Sequence, residues 1–417
     1  MNLAFSTALS GLTASSTAIN VVGNDLANLN TTGYKSSELA FSDLMSQTLG
    51  GSGSQMGMGV GQVSTYAKYT QGSLQNTGSP TDAAIQGNGF FVVKDSNNQQ
   101  LYTRDGAFQV NSSGQLTTAT GELVQGWNSL SGNVDTNAPI GNISVPLGAT
   151  IPATATTSMK LGVNLDSRAT VGTSGATFSA PIQVVDSQGN THTLSASFTK
   201  TAANQWDYKV TIPQGDLASA TASNTVATGS LTFDSSGQLT TPASTTDPQT
   251  ISIAGLADGA SDMSVGWNLY DPSTNQSLLT QVAENSGVAS TWQDGLSAGQ
   301  ISDVSLQNGG LLVAKYSNGK QLTVGQLAVA SIANPESLSA AGNNNLAATS
   351  ETGAASIGVP NSGSRGQIVA GSLESSTVDI AQEFTNLLTF ERGYQANSRV
   401  ITTADQILQE TVNLIHG

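Results

Sequence analysis

The sequence predicts mainly β globular domains, with α-helical N- and C-terminal segments that pair in a coiled-coil-like terminal domain. Apolar residues recur at seven-residue intervals at both ends of the chain, which is typical of helices that share a seam. Between the ends, short apolar or alternating runs are divided by Gly, Asn, Asp and Ser, which is typical of strands and turns. Charged residues make up only 10% of the 417 residues, a composition closer to strand-rich surface proteins than to compact enzymes.

The N-terminal helix is predicted from an apolar stripe that begins near the start of the chain. Its seven-residue positions are Phe5, Leu12, Ile19 and Leu26. Because glycine commonly lies just beyond the last helical residue, we expect Gly33 to lie beyond the end of this helix.

The C-terminal helix is predicted from a longer stripe with the same period. Its positions are Ile380, Leu387, Tyr394, Ile401, Leu408 and Ile415. Ser376 and Asp379 have the spacing of a capping box, which predicts that this helix starts close to them. Two interpretations of the stripes stay open. The helices pair with each other or with neighbouring copies, or they lie on the protein's own globular core.

Changes in composition predict how the chain is divided. A stretch rich in Pro, Ala and Thr at 146–157 and another change at 285–290 enclose a central block that we interpret as an inserted domain. The predicted parts are a helical terminal (polymerisation) domain at 1–34 and 374–417, a linker at 35–69, an outer β domain at 70–145 and 285–365, and an inserted β domain at 146–284.

A repeated segment supports the prediction of two β domains. Asn111-Ser-Ser-Gly114 precedes Gln-Leu-Thr-Thr, and Asp234-Ser-Ser-Gly237 precedes the same four residues. Gly and Asn or Asp at these positions are typical of tight turns between strands. We therefore expect the same hairpin turn in both domains.

The inventory of reactive side chains disfavours catalysis. The chain has no cysteine, and its two histidines are His192 and His416. His192 lies in an alternating run with Leu194 and Phe198, which indicates a structural strand residue. A net charge of −15 disfavours nucleic-acid binding. The sequence therefore predicts no enzyme, no catalytic residue, no cofactor and no metal.

The apolar segments are too short or too interrupted to indicate a membrane span, which needs about 20 apolar residues. The N-terminal region also lacks the basic and apolar segments of a cleaved secretory signal, since its first basic residue is Lys35. We therefore expect no membrane insertion, and export without a cleaved signal peptide.

Three motifs resemble those of one known family. Residues 24–35 read Asn-Asp-Leu-Ala-Asn-Leu-Asn-Thr-Thr-Gly-Tyr-Lys, residues 84–93 and 102–108 form a predicted strand pair, and residues 392–405 lie in the predicted C-terminal helix. In this order they resemble the flagellar rod and hook axial proteins. Gly23, Asp25 and Gly393 depart from the usual family pattern.

Motifs in the second half of the chain, at 316–319, 327–330 and 334–338, resemble those of bacterial flagellar hook proteins. This resemblance implies a structural subunit that self-assembles into the curved tubular joint between motor rod and filament. It implies that the ten stripe residues named above form subunit interfaces. It also implies an extracellular hook location, a homopolymer, contacts with distal rod, hook cap and hook-filament junction proteins, and passage through the flagellar type III export apparatus. The alternatives are a distal rod protein of the flagellar basal body or, from another class, a secreted β-rich surface enzyme or adhesin.

Overall fold

The computed structural model describes residues 2–44, 47–48, 55–129 and 131–416. The described chain is mostly β-sheet, and its α-helices lie at the two ends, as the sequence predicts. Helix α1 spans Asn2–Ala27 and helix α2 spans Ile380–His416. The chain forms two compact units. Unit 1 comprises residues 1–147, 303–314 and 321–417, and unit 2 comprises residues 148–302 and 315–320.

The borders of these units differ from those of the predicted domains. The strand Gly287–Gln293 pairs with Ser158–Asp166 within unit 2, although the sequence placed residues 285–302 in the outer domain. Membership of a sheet depends on strand pairing, and the change in composition that suggested the border carries no information about pairing. The further division of unit 1 into a helical terminal domain and an outer β domain stays a prediction.

The predicted linker at 35–69 contains paired strands. Ser37–Ala40 pairs antiparallel with Ser64–Ala67, and Gln47–Thr48 pairs with Gln55–Met56. Residues 45–46 and 49–54 of this segment lie outside the described residues. Part of the predicted linker therefore forms two short antiparallel ladders.

The main sheet of unit 1 surrounds a strand that is buried along almost its whole length. Phe90–Lys94 pairs on one side with Leu123–Asn128 and on the other with Gln100–Thr103. Phe90 packs with Tyr102 and Ile332 in one cluster, and the Phe91 ring meets the Phe108 ring edge-on at 5.0 Å. The strands with residues in unit 1, beyond those already given, are Leu74–Asn76, Ala83–Gln86, Phe108–Val110, Leu116–Thr118, Gly141–Asn142, Gly299–Gln307, Leu311–Tyr316, Gln321–Leu327, Val329–Ser331, Ser339–Gly342, Asn345–Ala347, Ser356–Gly358, Gln367–Ala370 and Ser372–Glu374. Two of these, Gly299–Gln307 and Leu311–Tyr316, contain residues of both units.

Unit 2 contains two five-stranded sheets whose apolar faces share one core. The first sheet is a meander of five antiparallel strands, Thr177–Val185, Thr191–Ala202, Gln205–Thr211, Thr225–Phe233 and Leu239–Thr241. The second has Ser158–Asp166 at its centre, together with Gln249–Ile253, Met263–Asn268, Leu279–Val282 and Gly287–Gln293. A short strand, Thr150–Ile151, also lies in this unit. In Thr191–Ala202 alternate side chains are buried, so that His192, Leu194 and Phe198 share the inner face, as the alternation predicts.

The repeated segment forms the same turn in each unit. Asn111 Oδ1 accepts the N–H groups of Ser113 and Gln115, and Asp234 Oδ1 accepts those of Ser236 and Gln238. In both turns the glycine has a left-handed φ, of +79° at Gly114 and +80° at Gly237. The prediction of a shared hairpin turn is confirmed.

Candidate functional site: the paired terminal helices

Helices α1 and α2 pack against each other in opposite directions. A Cβ added at Gly11 would lie 2.7 Å from Asn397 Nδ2, and one added at Gly393 would lie 3.3 Å from Ser15 Oγ. Moving forward along α1 thus corresponds to moving backward along α2. The terminal segments pair within one chain, as the predicted fold class requires.

Small side chains form the contact between the two helices. The fully buried apolar residues of α1 are Ala8, Ala14, Ala18 and Val22. From α2, Gly393 and Asn397 face them, and both are half-buried. Small residues allow two helix backbones to approach closely, but they remove little apolar surface from water. The contact is therefore close and weakly hydrophobic.

The predicted stripes lie beside this contact and not in it. On α1, Phe5 is 40% exposed, and Leu12, Ile19 and Leu26 are half-buried. On α2, Ile380 is 47% exposed, Tyr394 and Leu408 are also exposed, and Leu387 and Ile401 are half-buried. The side chain of Ile415 lies outside the described residues. The stripes stay candidate interface residues, and no sequence pattern indicated that alanine and glycine would form the internal contact.

An apolar face of α2 points away from α1. Its exposed members include Phe384 and Leu388, at 53% and 54% exposure. Val400 and Ile407 are about half exposed as well, but they lie about 140–160° around the helix from Phe384. None of the helices in the described ranges is long and apolar enough to cross a membrane.

The two helices differ in length, so α2 extends past α1. Helix α1 has 26 residues and α2 has 37. Asn2 stands nine residues before Gly11, and Gln406 stands nine residues after Asn397, so the start of the described α1 lies level with Gln406. Helix α2 then continues to His416. This extension carries Ile407, Leu408 and Leu414, all of them exposed.

The turn after α1 is fixed by Asp25, a residue that is fully buried. The Tyr34 hydroxyl donates to Asp25 Oδ1 at 2.7 Å, and the Ser37 N–H donates to Asp25 Oδ2 at 2.9 Å. Burial raises the pKa of Asp25, although both hydrogen bonds oppose this rise. An asparagine at position 25 would offer a single acceptor oxygen, whereas the carboxylate offers the two that this turn uses.

At the same end of the helix pair, Asp379 caps α2. Asp379 Oδ1 accepts the N–H groups of Ala381 and Gln382, at 2.8 Å and 3.1 Å. Ser376 Oγ instead accepts the N–H of Val378, outside the helix. The helix therefore begins a few residues later than the predicted capping box places it, and the capping residue is Asp379.

A buried triad of charges fastens both helices to the β structure of unit 1. Glu374, whose side chain has no exposed surface, lies 2.6 Å from Lys35 Nζ and 3.1 Å from Arg104 Nη1. It also accepts the N–H of Gly72 at 2.7 Å. Burial lowers the pKa of Lys35 and of Arg104, and attraction to Glu374 opposes the shift in both. Glu374 lies far from both partners along the chain, so no short sequence pattern marks this triad.

Gly33 occupies the tightest point of this junction. Its φ is +69°, and a Cβ at this position would lie 2.6 Å from the Arg104 carbonyl carbon. Its N–H donates to the Glu374 carbonyl at 2.7 Å. Gly33 thus fits here because it alone permits both the left-handed backbone and the close approach.

We expect Gly33→Ala to destabilise unit 1 by at least about 1–2 kcal/mol, which is the cost of a left-handed backbone for a residue that carries a Cβ. The close contact between this Cβ and Arg104 adds to the cost. Thermal unfolding followed by circular dichroism measures this. The control is Gly23→Ala in α1, where an added Cβ meets no atom within 4 Å and alanine favours the helix. Equal melting temperatures for Gly33→Ala and the unaltered protein would contradict the assignment.

Models of known protein families match four segments along the chain. The family models that match are the flagella basal body rod protein at residues 5–35, the flagellar hook protein FlgE/F/G D1 domain at 84–166, the flagellar basal body protein FlaE D2 domain at 164–296, and the flagellar basal body rod FlgEFG protein C-terminal region at 369–414. The three motifs found in the sequence fall inside the first, second and fourth of these matches.

Relatives match over almost the whole chain. The flagellar hook protein FlgE of Salmonella typhimurium is 33% identical over 99% of this chain and 100% of its own length. The chain belongs to the flagellar hook protein FlgE family. The FlgE of Treponema pallidum is 32% identical over 97% of this chain and 98% of its own length. The crystal structure of Helicobacter pylori flagellar hook protein FlgE2 aligns with a TM-score of 0.48 at 13% identity, over 72% of this chain and 100% of that one, so the assignment rests on the sequence relatives.

Membership of the FlgE family confirms the resemblance and the fold class predicted from the sequence. The full-length relatives carry the hook name, whereas the models that match the terminal segments also carry the rod name. The models that match the two terminal segments are thus named for rod proteins, and the full-length relatives are hook proteins.

Proposed function

We propose that this chain is a structural subunit of the bacterial flagellar hook, where it self-assembles into the curved tubular joint that couples the motor rod to the filament. The observation that carries the proposal is the exposed apolar face of the terminal helices, led by Phe384 and Leu388. An isolated chain leaves this face in water, and packing against another copy would bury it.

The subunit interface of this proposal combines two groups of residues. The first is the stripe predicted from the sequence, from Phe5 to Leu26 and from Ile380 to Ile415. The second is the exposed face that includes Phe384 and Leu388. Because a stripe with a period of 3.5 drifts by about 20° per heptad around a straight helix, it moves gradually toward the internal contact along α2.

The proposed partners are further copies of the chain, together with the distal rod, the hook cap and the hook-filament junction proteins. We propose export through the flagellar type III apparatus without a cleaved signal, and an extracellular position in the hook. We assign no chemical reaction to the chain, because its family is a structural one. Support for these partners comes from family membership and from the terminal segments matched by rod-protein models.

Electron microscopy of the purified protein at rising concentration tests the proposal. We expect tubes or rings to form as the concentration increases, because each added copy covers exposed apolar surface. Particles that stay monomeric at every concentration, together with a hydrolytic activity, would contradict it and favour a secreted enzyme.

We expect the α1 amides to exchange hydrogen rapidly in the dilute monomer and slowly in the polymer. Burying Val22 contributes roughly 1.5–3 kcal/mol, whereas ordering each residue of the backbone costs about 1–2 kcal/mol. The alanines of the contact add little, so one chain holds the helix weakly. Hydrogen exchange measured by mass spectrometry checks this, with the buried strand Phe90–Lys94 as the internal control. Protection of residues 5–26 in dilute monomer would contradict the prediction.

A further inference from the structure

Three carboxylates from separate turns of unit 2 surround the ring of His192. His192 lies in the strand Thr191–Ala202 and is 6% exposed. Its Nδ1 lies 3.1 Å from Asp216 Oδ2, and its Nε2 lies 3.2 Å from Asp186 Oδ2 and 3.4 Å from Asp258 Oδ2. Nothing in the role of the terminal helices uses this cluster.

The arrangement requires a positive charge at the ring. A neutral imidazole carries one N–H, so its other nitrogen presents a lone pair. Here both nitrogens face carboxylate oxygens, and a lone pair directed at either one is repelled. Only the imidazolium donates from both nitrogens, and its charge is attracted by Asp186, Asp216 and Asp258 together.

Asp186 is held as a carboxylate by its own turn. Its Oδ1 accepts the backbone N–H groups of Gln188, Gly189 and Asn190, at 2.7 Å to 2.9 Å. Although burial opposes ionisation, hydrogen bonds from neighbouring groups, including the His192 ring and these backbone N–H groups, lower the pKa of Asp186 to about 2. The Asn190 amide donates to Asp186 Oδ2 and to Asp258 Oδ2, at 3.3 Å and 3.1 Å, and so holds the two acids together.

The cluster joins three connections between strands. Asp186 begins the turn before Thr191–Ala202, Asp216 ends the short helix Gln214–Asp216, and Asp258 follows Gln249–Ile253. Backbone bonds link the last two connections, from the Ala257 N–H to the Asp216 carbonyl and from the Ala218 N–H to the Gly255 carbonyl, both at 2.9 Å.

We propose that His192 is a proton-operated clasp, which ties these three connections of unit 2 together when its ring is charged and loosens them when the ring is neutral. The charged groups that face the ring are the three carboxylates. In the described part of the chain none of them pairs with a lysine or arginine. The nearby Asp262 is directed to the Gly255 N–H, at 3.0 Å.

The two groups of the clasp that change charge, His192 and Asp186, determine how its stability depends on pH. Burial lowers the pKa of His192, but the bonds to Asp216 and Asp186 outweigh burial and raise it above 6.5. The stability from the charged ring is therefore complete below 6.5 and is lost as pH rises through the folded pKa. The contribution of Asp186 is present above 3.8 and is lost as pH falls toward about 2. Both contributions are therefore fully present, and the clasp is closed, between pH 3.8 and pH 6.5.

The full chain allows a direct test, because it contains two histidines. Ring signals recorded by NMR during a pH titration are assigned with His192→Gln, in which one signal disappears. We expect the His192 pKa to lie above 6.5. Asp216→Asn should lower it by about 1, since the bond to Asp216 is the largest contribution that raises this pKa and a nearby opposite charge shifts a pKa by that order. The control is Asp234→Asn, which alters the same kind of turn without a histidine and should leave the His192 pKa unchanged.

Hydrogen exchange at the Ala218 and Ala257 amides provides a second readout. After correction for the intrinsic rate, protection should fall as pH rises through the His192 pKa, and His192→Gln should lack this step. A His192 pKa at or below 6.5, or protection that does not change, would overturn the proposal. Asp186, His192 and Asp258 also place three donor atoms within 4.8 Å of one another, so a divalent metal ion is the competing occupant. If a chelator lowers the melting temperature of the unaltered protein but not of His192→Gln, a metal ion and not a proton holds the cluster together.

Discussion

Replacing Glu374 with glutamine should destabilise unit 1 by about 3–5 kcal/mol, because it leaves the charges of Lys35 and Arg104 buried without a counter-charge. At about 2–4 °C per kcal/mol for a domain of this size, the melting temperature should fall by roughly 6–20 °C. The side chains of Lys35 and Arg104 are each 6% exposed, so water cannot substitute for the lost carboxylate. Calorimetry on the dilute monomer measures the change.

The matched control for this substitution is Glu38→Gln. Glu38 also pairs with a lysine, Lys68, at 2.7 Å, but both side chains are about half exposed. Solvent screens such a pair, so the melting temperature should scarcely change. If Glu374→Gln melts like Glu38→Gln, the triad does not hold the junction. Exchanging all three members of the triad for apolar residues of similar size should cost less than Glu374→Gln, because no buried charge remains.

Replacing Phe384 with aspartate should abolish assembly and leave the monomer stable. The side chain is 53% exposed in the single chain, so the change costs little there. In a polymer that covers this face, the carboxylate would enter an interface without water, at a cost of several kcal/mol. A cost of about 2.8 kcal/mol already raises the concentration needed for assembly about a hundredfold. Sedimentation of the polymer measures this concentration, and thermal unfolding checks the monomer.

Thr389→Asp is the control for the position of the interface. Thr389 is also exposed, and it lies about 140° around α2 from Phe384. The same carboxylate at Thr389 should leave assembly close to normal if the interface is the apolar face. Loss of assembly in both variants would mean that charge on α2, and not the position of Phe384, decides the outcome. A large fall in the melting temperature of Phe384→Asp would show that this face packs on its own chain.

The sequence was sufficient for the features that depend on local patterns. The apolar period predicted both terminal helices, and the Asn111 and Asp234 turns predicted two matching hairpins, because turn chemistry is determined within a few residues. It was not sufficient for contacts between distant residues. Glu374 meets Lys35 and Arg104 only after folding, and no short pattern marks a buried acid.

The internal helix contact illustrates a second limit. The seven-residue stripe identified apolar residues, but Ala8, Ala18 and Gly393 form the contact, since close packing of backbones selects for small size. A stripe of large apolar residues therefore indicates which side chains favour burial, but it does not indicate whether the same chain or another copy buries them. The sequence did not indicate the cluster around His192 either, because its three acids come from separate turns and meet the ring only after folding.

The buried triad also determines how tension passes through the chain. Lys35 follows the end of α1 by eight residues, and Glu374 precedes the start of α2 by six, so both connections to the helices meet at one ionic junction on Arg104. A pull on either helix loads the same three side chains. The two helices thus share one ionic anchor, and rupture of that anchor would weaken the attachment of both at once.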